Sequence, residues 1–150
     1  MTTATATVEV PCHPDTAFEI FTRDIGAWWK RGTYYWNDAG RGLQLRLEPR
    51  VGGRLVEVYD LETGEGFEIG RVLAWEPGKR LVFTWRQADW DPTASTDVEV
   101  RFEPSGSGTL VTVEHGGWDR VPAASRGQIE GYGQGWAELL GFYAQAAGER

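Results

Sequence analysis

The chain has 150 residues, with 22 acidic and 15 basic side chains and a formal net charge of -7. This length predicts a single domain over residues 1–150 that can bury a core, and an acidic balance without a basic run argues against nucleic-acid binding. No stretch reaches the ~20 apolar residues of a membrane span, and the N-terminus lacks a signal-peptide core.

The numbers of cysteine, histidine and aromatic residues further limit the kinds of site that we expect in this protein. The single cysteine, Cys12, excludes an internal disulfide and favours a reducing cytoplasm. Two histidines and one cysteine supply too few of the usual ligands for a transition-metal site, and no cofactor is expected. Eight tryptophans, five tyrosines and six phenylalanines exceed what a core of this size needs. We therefore expect some rings to line a concavity for apolar or planar ligands.

The first third of the chain predicts a strand, two short helices and a long loop. Thr5 to Val10 alternates in polarity and is typical of a strand. Asp15 to Phe21 predicts a short helix, and Asp24 to Trp29 a second helical turn. Lys30 to Gly42 has no clear period and is rich in Gly, Tyr and Trp. A loop of that length is either functional or an ordinary surface loop with an aromatic plug.

The middle of the chain predicts six more strands, each followed by a turn signal. Apolar and polar residues alternate along them, which is typical of an antiparallel sheet with one solvated face. The strands are predicted at Leu43–Glu48, Arg54–Asp60, Phe67–Trp75, Arg80–Arg86, Thr96–Glu103 and Leu110–His115.

The last thirty residues, Val121 to Arg150, predict one long amphipathic helix. Apolar residues recur at the spacing of 3.6 residues per turn. Several glycines interrupt the pattern, and each costs about 0.5–1 kcal/mol relative to Ala. Such a helix persists only if a large partner covers its apolar face, and the sheet is the one element large enough. We therefore predict an α+β fold, with about seven antiparallel strands curved around the C-terminal helix.

Several phrases of the sequence carry a resemblance to a known family. They are TRDIGAWW at 22–29, PRVGGR at 49–54, WEPGKRLVFTW at 75–85 and GTLVTVEHGGW at 108–118, followed by Gly135-Trp136 and Leu139-Leu140. In this order they resemble the START-like (SRPBCC, birch-pollen-allergen-like) superfamily. Within it they resemble homologues of the C-terminal domain of the heat-shock-protein-90 ATPase activator.

The resemblance implies a helix-grip fold with a cavity between the sheet and the long helix. It does not imply one activity, since this fold hosts lipid carriers, cyclases, oxygenase domains and co-chaperone domains. The eukaryotic co-chaperones carry a further N-terminal domain that this sequence does not contain, so the resemblance argues against a chaperone role here.

Two polar residues are candidates for the inside of the cavity. His115 shares strand parity with two valines, so it is either a polar anchor or proton donor in the cavity, or a histidine hydrogen-bonded to the backbone at the strand end. Arg71 shares parity with Phe67 and Trp75. Its guanidinium either binds a carboxylate or phenolate ligand, or a bulge breaks the parity, or it pairs with an acid such as Glu57.

The remaining predicted ligand-binding residues are mostly aromatic. Gly133 is placed on the inward half of the helix, where it would leave room for a ligand, whereas Gly127, Gly131 and Gly135 fall on the outer and flanking surface. Trp28, Trp29 and Trp36 form either a cavity mouth or, for one of the adjacent pair, buried core. The set is completed by Phe67, Phe83, Trp85, Val100, Trp118, Tyr132 and Trp136.

Three functions compete on this basis. The preferred hypothesis is binding of a small hydrophobic or aromatic ligand, because no catalytic constellation is apparent. The second is a polyketide cyclase or dehydratase working by general acid–base chemistry, which needs polar groups such as His115 and Arg71 to converge in the cavity. The third is a chaperone-associated interaction module, by analogy alone. A homodimer is compatible with each of them.

Overall fold

A computed structural model describes residues 3–30, 35–121 and 128–149. These residues form seven strands, three α-helices and one 3-10 turn in chain order. The elements are β1 (Ala4–Val10), α1 (Pro14–Thr22), α2 (Ile25–Trp28), β2 (Gln44–Leu47), β3 (Arg54–Val58), β4 (Gly66–Glu76), β5 (Arg80–Trp85), β6 (Thr96–Ser105), β7 (Gly108–Gly116), the 3-10 turn Trp118–Arg120 and α3 (Ile129–Gly148).

The strands form one seven-stranded antiparallel sheet in the order β1-β7-β6-β5-β4-β3-β2. Neighbours in sequence are neighbours in the sheet, except that β1 closes against β7. The registers of β3–β4 and β4–β5 each shift by one residue along β4. Such bulges bend and twist a strand.

Helix α3 lies against the apolar face of this sheet. Its buried residues Trp136, Leu140 and Tyr143 pack into one core with the inward residues of the strands. This burial is what holds a helix with glycines at 131, 133, 135 and 141 together, as expected. The arrangement is the helix-grip fold that the sequence predicts.

The predicted strands agree with the observed ones to within two residues, but the long helix is shorter than predicted. It begins at Ile129 instead of Val121, which is extended after the 3-10 turn. Residues 122–127, which include Gly127, lie outside the described residues. Gly148 is the last residue of the helix.

Candidate functional site

A cavity of about 660 Å³ opens along one flank of α3, between that helix, the end of β5 and the segment that covers them. Its walls are chiefly aromatic. Six rings border it: Trp29, Tyr35, Trp36, Trp85, Tyr132 and Trp136. Four polar side chains also border it, Asn37, Gln87, Asp89 and Gln128, together with Ala88, Gly131, Gly135 and Leu139. We call this space the aromatic cavity.

The rings of the wall meet edge to face. The Trp85 and Trp136 centroids are 5.9 Å apart at 63°, and Trp29 meets Trp136 at 5.8 Å and 81°. Tyr132 stands at 87° to Trp85, 6.2 Å away. Aromatic pairs prefer this geometry, so the wall is stabilised by its own contacts.

A polar cluster lies within the wall, centred on the hydroxyl of Tyr132. The indole Nε1–H of Trp85 donates to this oxygen at 3.0 Å, and Nε2 of Gln87 donates to it as well. Burial raises the pKa of Tyr132, although the two donated hydrogen bonds oppose this. The phenol is therefore neutral at physiological pH and keeps its proton.

His115 lies behind the wall. Its ring is fully buried, and Trp136 donates from Nε1 to its Nδ1 at 3.1 Å. Since indole N–H is only a donor, Nδ1 carries no proton and Nε2 carries it. Nε2 lies 2.6 Å from the hydroxyl of Thr96, which in turn donates to the carbonyl of Trp85. Burial lowers the pKa of His115 to about 3.

These contacts decide between the two interpretations of His115. The side chain faces inward, as its parity predicts, but it is a neutral, hydrogen-bonded core histidine. Its bonds link β6 and β7 to α3 and orient the Trp136 ring; the partners are side chains, not the backbone groups expected. Both of its ring nitrogens are engaged in these bonds, and it is not among the described residues that border the aromatic cavity.

The rim of the cavity is held by Glu57, a fully buried carboxylate on β3. Its oxygens accept from the backbone N–H groups of Asn37 at 2.7 Å and Asp38 at 2.9 Å, and from the hydroxyl of Tyr59 at 2.6 Å. The Asn37 side chain then accepts from the backbone N–H of Ala88 at 2.9 Å. Glu57 thus fixes the segment that carries Trp36 against the loop after β5.

The predicted inward position of Arg71 is wrong. Arg71 is exposed and pairs with Glu68 at 3.0 Å, while its Nη1 donates to the carbonyl of Gly52. The register makes Ile69 and Leu73 the extra residues of two bulges, so residues 70–72 are out of phase with the strand on either side. The bulge interpretation is therefore confirmed, and the alternative pairing with Glu57 is not observed.

Four further predicted residues lie away from the aromatic cavity. Phe67 is half-buried on β4, where the guanidinium of Arg86 lies 4.5 Å from its ring centroid. Phe83 and Val100 are buried in the filled core, with exposures of 1% and 0%. Trp118 is fully buried behind the wall, with its ring 4.6 Å from that of His115.

Of the two adjacent tryptophans, one is buried in the core and the other borders the cavity, as the sequence allows. Trp28 is core: its Nε1 donates to the carbonyl of Ile20 at 3.2 Å, and its ring packs on Tyr143 at 5.5 Å. Trp29 borders the cavity and donates from Nε1 to the carbonyl of Tyr35 at 3.0 Å. Trp36, Trp85, Tyr132 and Trp136 also border it, so the structure brings these four predicted residues together.

The glycine prediction is wrong. Gly133 does not border the cavity, and a Cβ there would meet nothing within 4 Å. Gly131 and Gly135 border it instead, and a Cβ on Gly135 would lie 3.1 Å from the Tyr35 ring. Core side chains fill the space against the centre of the apolar face of α3. The free space therefore lies beside the flank of that face, where the 3.6-residue periodicity places less apolar residues.

Several lining residues were not predicted. Tyr35 lies in the loop predicted over Lys30 to Gly42, and Gln87 and Asp89 follow β5. The signal for Tyr35 was the length and aromatic content of that loop, which do not fix which side chains point inward. The carboxylate that holds the rim, Glu57, looked like an ordinary strand residue.

Two general features bear on the class of site. Within residues 3–30, 35–121 and 128–149, no group of three or more His, Cys, Asp or Glu side chains is arranged to hold a metal ion. None of the helices in the same residues is both long and apolar enough to cross a membrane.

Comparison with solved structures gives similar folds. The anthrahydroquino-gamma-pyrone synthase Txn09 is 30% identical, with 97% of this chain and 96% of that chain covered and a TM-score of 0.62. Protein MLL2253 from Mesorhizobium loti is 21% identical, covering 95% and 94%, with a TM-score of 0.67. The Aha1 dimer from Colwellia psychrerythraea is 18% identical, covering 98% and 96%, with a TM-score of 0.63.

Sequence comparison agrees with the fold. A search of curated protein sequences gave no significant match. The sequence model of the family described as activator of Hsp90 ATPase homolog 1-like protein matches residues 11–145, nearly the whole chain. Together with the helix-grip fold, this match shows that the chain belongs to the activator of Hsp90 ATPase homolog 1-like family of the START-like superfamily.

Proposed function

We propose that this protein binds a small planar aromatic molecule in the aromatic cavity. The observation that carries the proposal is a space of about 660 Å³ beside α3 that is bordered by six aromatic rings. Ligand pockets of about 300–1,000 Å³ hold drug-sized molecules. Rings that present both faces and edges favour planar aromatic partners over flexible lipids.

Two further features support this class of ligand. Asn37, Gln87 and Gln128 place a few neutral polar groups around an apolar wall, the combination that fixes the orientation of a bound molecule. The likeness at 30% identity to Txn09, named as an anthrahydroquino-gamma-pyrone synthase, supports an aromatic ligand as well.

The proposal is tested by filling the cavity from α3. Gly135→Leu places a side chain against Tyr35 at the cavity wall, whereas Gly133→Leu adds the same side chain to the same helix in open space. We expect wild type and Gly133→Leu to bind planar polycyclic compounds, and Gly135→Leu to bind them about tenfold or more weakly, since overpacking costs about 1–3 kcal/mol. Tryptophan fluorescence titration measures the affinities, and native mass spectrometry of cell-purified protein identifies any retained molecule.

Absence of binding by wild type across flavone, fluorene and anthracene derivatives would refute the proposal. Equal loss in both leucine variants would show that the space beside Gly135 is not the site. Thermal unfolding of each variant separates loss of binding from loss of the fold.

A second candidate is ring-forming catalysis on a polyketide-like substrate, and the likeness to Txn09 is what favours it. The acid–base pair expected from sequence does not form, because Arg71 is exposed and His115 is neutral behind the wall. Two described side chains of the cavity then hold a phenolic proton, Tyr35 and Tyr132, and the Tyr35 O–H donates to Glu138. Product formation from a poly-β-ketone would distinguish catalysis from binding.

The other expectations stay predictions. A chaperone interaction rests on the family description, and a homodimer on the similar Aha1 dimer. A cytoplasmic location rests on the single cysteine.

A further inference from the structure

The Tyr132 hydroxyl has one hydrogen-bonding position to spare. A phenol oxygen accepts two hydrogen bonds and donates one. Trp85 Nε1 and Gln87 Nε2 both donate to this oxygen, so both acceptor positions are occupied. No acceptor for the phenolic proton occurs among residues 3–30, 35–121 and 128–149, so the proton is available to a bound molecule.

The surroundings hold this donor in place. Trp85 is on β5, Gln87 follows it, and Tyr132 is on α3, so the sheet and the helix fix the oxygen from two sides. All three side chains border the aromatic cavity. The Tyr132 ring is also held edge-on to His115, at a centroid distance of 4.8 Å. A donor oriented in this way loses little entropy when a ligand oxygen accepts its proton.

The charges of the lining select the kind of acceptor. Asp89 is the one formally charged side chain among the described residues that border the cavity, and the whole chain has a net charge of -7. A carboxylate or phenolate ligand would enter beside a like charge without a cation among those lining residues to pair with. A neutral carbonyl oxygen accepts a hydrogen bond without that penalty.

We propose that the Tyr132 O–H donates to a neutral carbonyl oxygen, so that the aromatic cavity selects planar aromatic ketones or quinones over hydrocarbons of the same shape and over aromatic carboxylates. The inference rests on the proposed binding function and adds the chemical class of the ligand. Tyr132 is the specificity-determining residue, and Trp85 and Gln87 position its proton.

The test uses ligands that share a ring frame. 9-Fluorenone and fluorene differ by one carbonyl oxygen, and 9-fluorenone-2-carboxylate adds an anionic group. Calorimetry or tryptophan quenching at pH 8 gives the dissociation constant of each compound. We define the ketone preference of a protein as its dissociation constant for fluorene divided by its dissociation constant for 9-fluorenone. We expect a preference of about threefold to tenfold in wild type, the net worth of one hydrogen bond, and weaker binding of the carboxylate.

Two substitutions at Gln87 control the proton without removing a ring. In Gln87→Glu, an ionised carboxylate lies next to the hydroxyl and takes its proton, so the ketone preference should fall to about one. In Gln87→Met, the side chain neither donates nor accepts strongly, so the preference should stay above that of Gln87→Glu. Tyr132→Phe is less informative, because it frees the Trp85 N–H to act as a substitute donor.

Infrared spectroscopy supplies a direct readout. The carbonyl stretch of bound fluorenone should move to lower frequency in wild type than in Gln87→Glu, which a purely structural role of Gln87 would not produce. Equal affinity for fluorene and fluorenone in wild type would overturn the inference while leaving the binding function intact. Binding of neither compound by wild type would overturn the inference, and only the absence of binding across the flavone, fluorene and anthracene series would overturn the binding function as well. An unchanged preference in Gln87→Glu would show that Tyr132 is not the donor.

Discussion

The two ends of the space between sheet and helix use aromatic rings differently. At the closed end, defined by Phe21, Trp28 and Tyr143, the rings pack on one another, with Phe21 and Tyr143 centroids 5.3 Å apart. The Tyr143 hydroxyl donates to the carbonyl of Ala17 at 2.7 Å. At the open end, the rings of the aromatic cavity also meet edge to face, yet they border about 660 Å³ of free space.

The difference lies in what covers each end. Helices α1 and α2 cover the closed end, and their apolar faces supply Phe21 and Trp28 as filling. The segment that carries Tyr35 and Trp36 covers the open end, and hydrogen bonds to Glu57 and Glu138 hold it there. A segment that is held by hydrogen bonds can leave space between itself and the core. An amphipathic helix must instead bury its apolar face against the core. Aromatic content alone therefore does not create a binding site.

The largest expected effect comes from opening the closed end. Trp28→Ala removes a ring that is 1% exposed and should lower the free energy of unfolding by about 3–5 kcal/mol. Trp36→Ala at the open end removes a half-buried ring and should cost only about 1–2 kcal/mol. Urea unfolding at pH 7 measures both. Similar costs for the two tryptophans would contradict the distinction between the ends.

The second largest effect is the pH dependence of stability that arises from His115, which lies behind the open end. The pKa of His115 is about 3 in the folded protein and about 6.5 when unfolded. Between these values the unfolded state binds a proton that the folded state does not. The free energy of unfolding therefore falls as the pH falls from 6.5 towards 3, by up to ~1.4 kcal/mol per pH unit from this group.

His115→Asn removes this titration. Wild type should exceed the variant in stability most at pH 7, and the margin should shrink by about 2 kcal/mol between pH 6 and pH 4. Urea unfolding of both proteins at each pH gives the margin. If the free energies of unfolding of the two proteins change with pH in parallel, His115 is solvated or charged in the folded protein.

The smallest effect tests the hydrogen-bonded cover. Glu57→Gln turns acceptor oxygens that face four donors, two from Asn37 and one each from Asp38 and Tyr59, into a mixed group. It should cost about 1–2 kcal/mol of stability and should also weaken ligand binding, because the rim shifts. Glu68→Gln, which affects only an exposed pair with Arg71, is the matched control and should cost less than about 0.5 kcal/mol. If Glu57→Gln binds the ligand as tightly as wild type, the hydrogen bonds of Glu57 at the rim do not contribute to the binding site.

The sequence could predict four of the cavity rings, Trp36, Trp85, Tyr132 and Trp136, because each has a clear parity or lies in a long aromatic loop. It misplaced Arg71 since two bulges of one residue each leave no mark in an alternating pattern. It also chose Gly133 over Gly135, because a helical wheel locates the apolar centre and not the flank where packing is incomplete.

By itself the sequence determined the order of elements, the sheet with one apolar face and the helix that covers it, because alternation and 3.6-residue periodicity state which face of an element avoids water. Only the tertiary structure decided which rings fill the core and which border a cavity, and that His115 is neutral and bonded. Those outcomes depend on what lies above each inward side chain, and segments distant in sequence supply it.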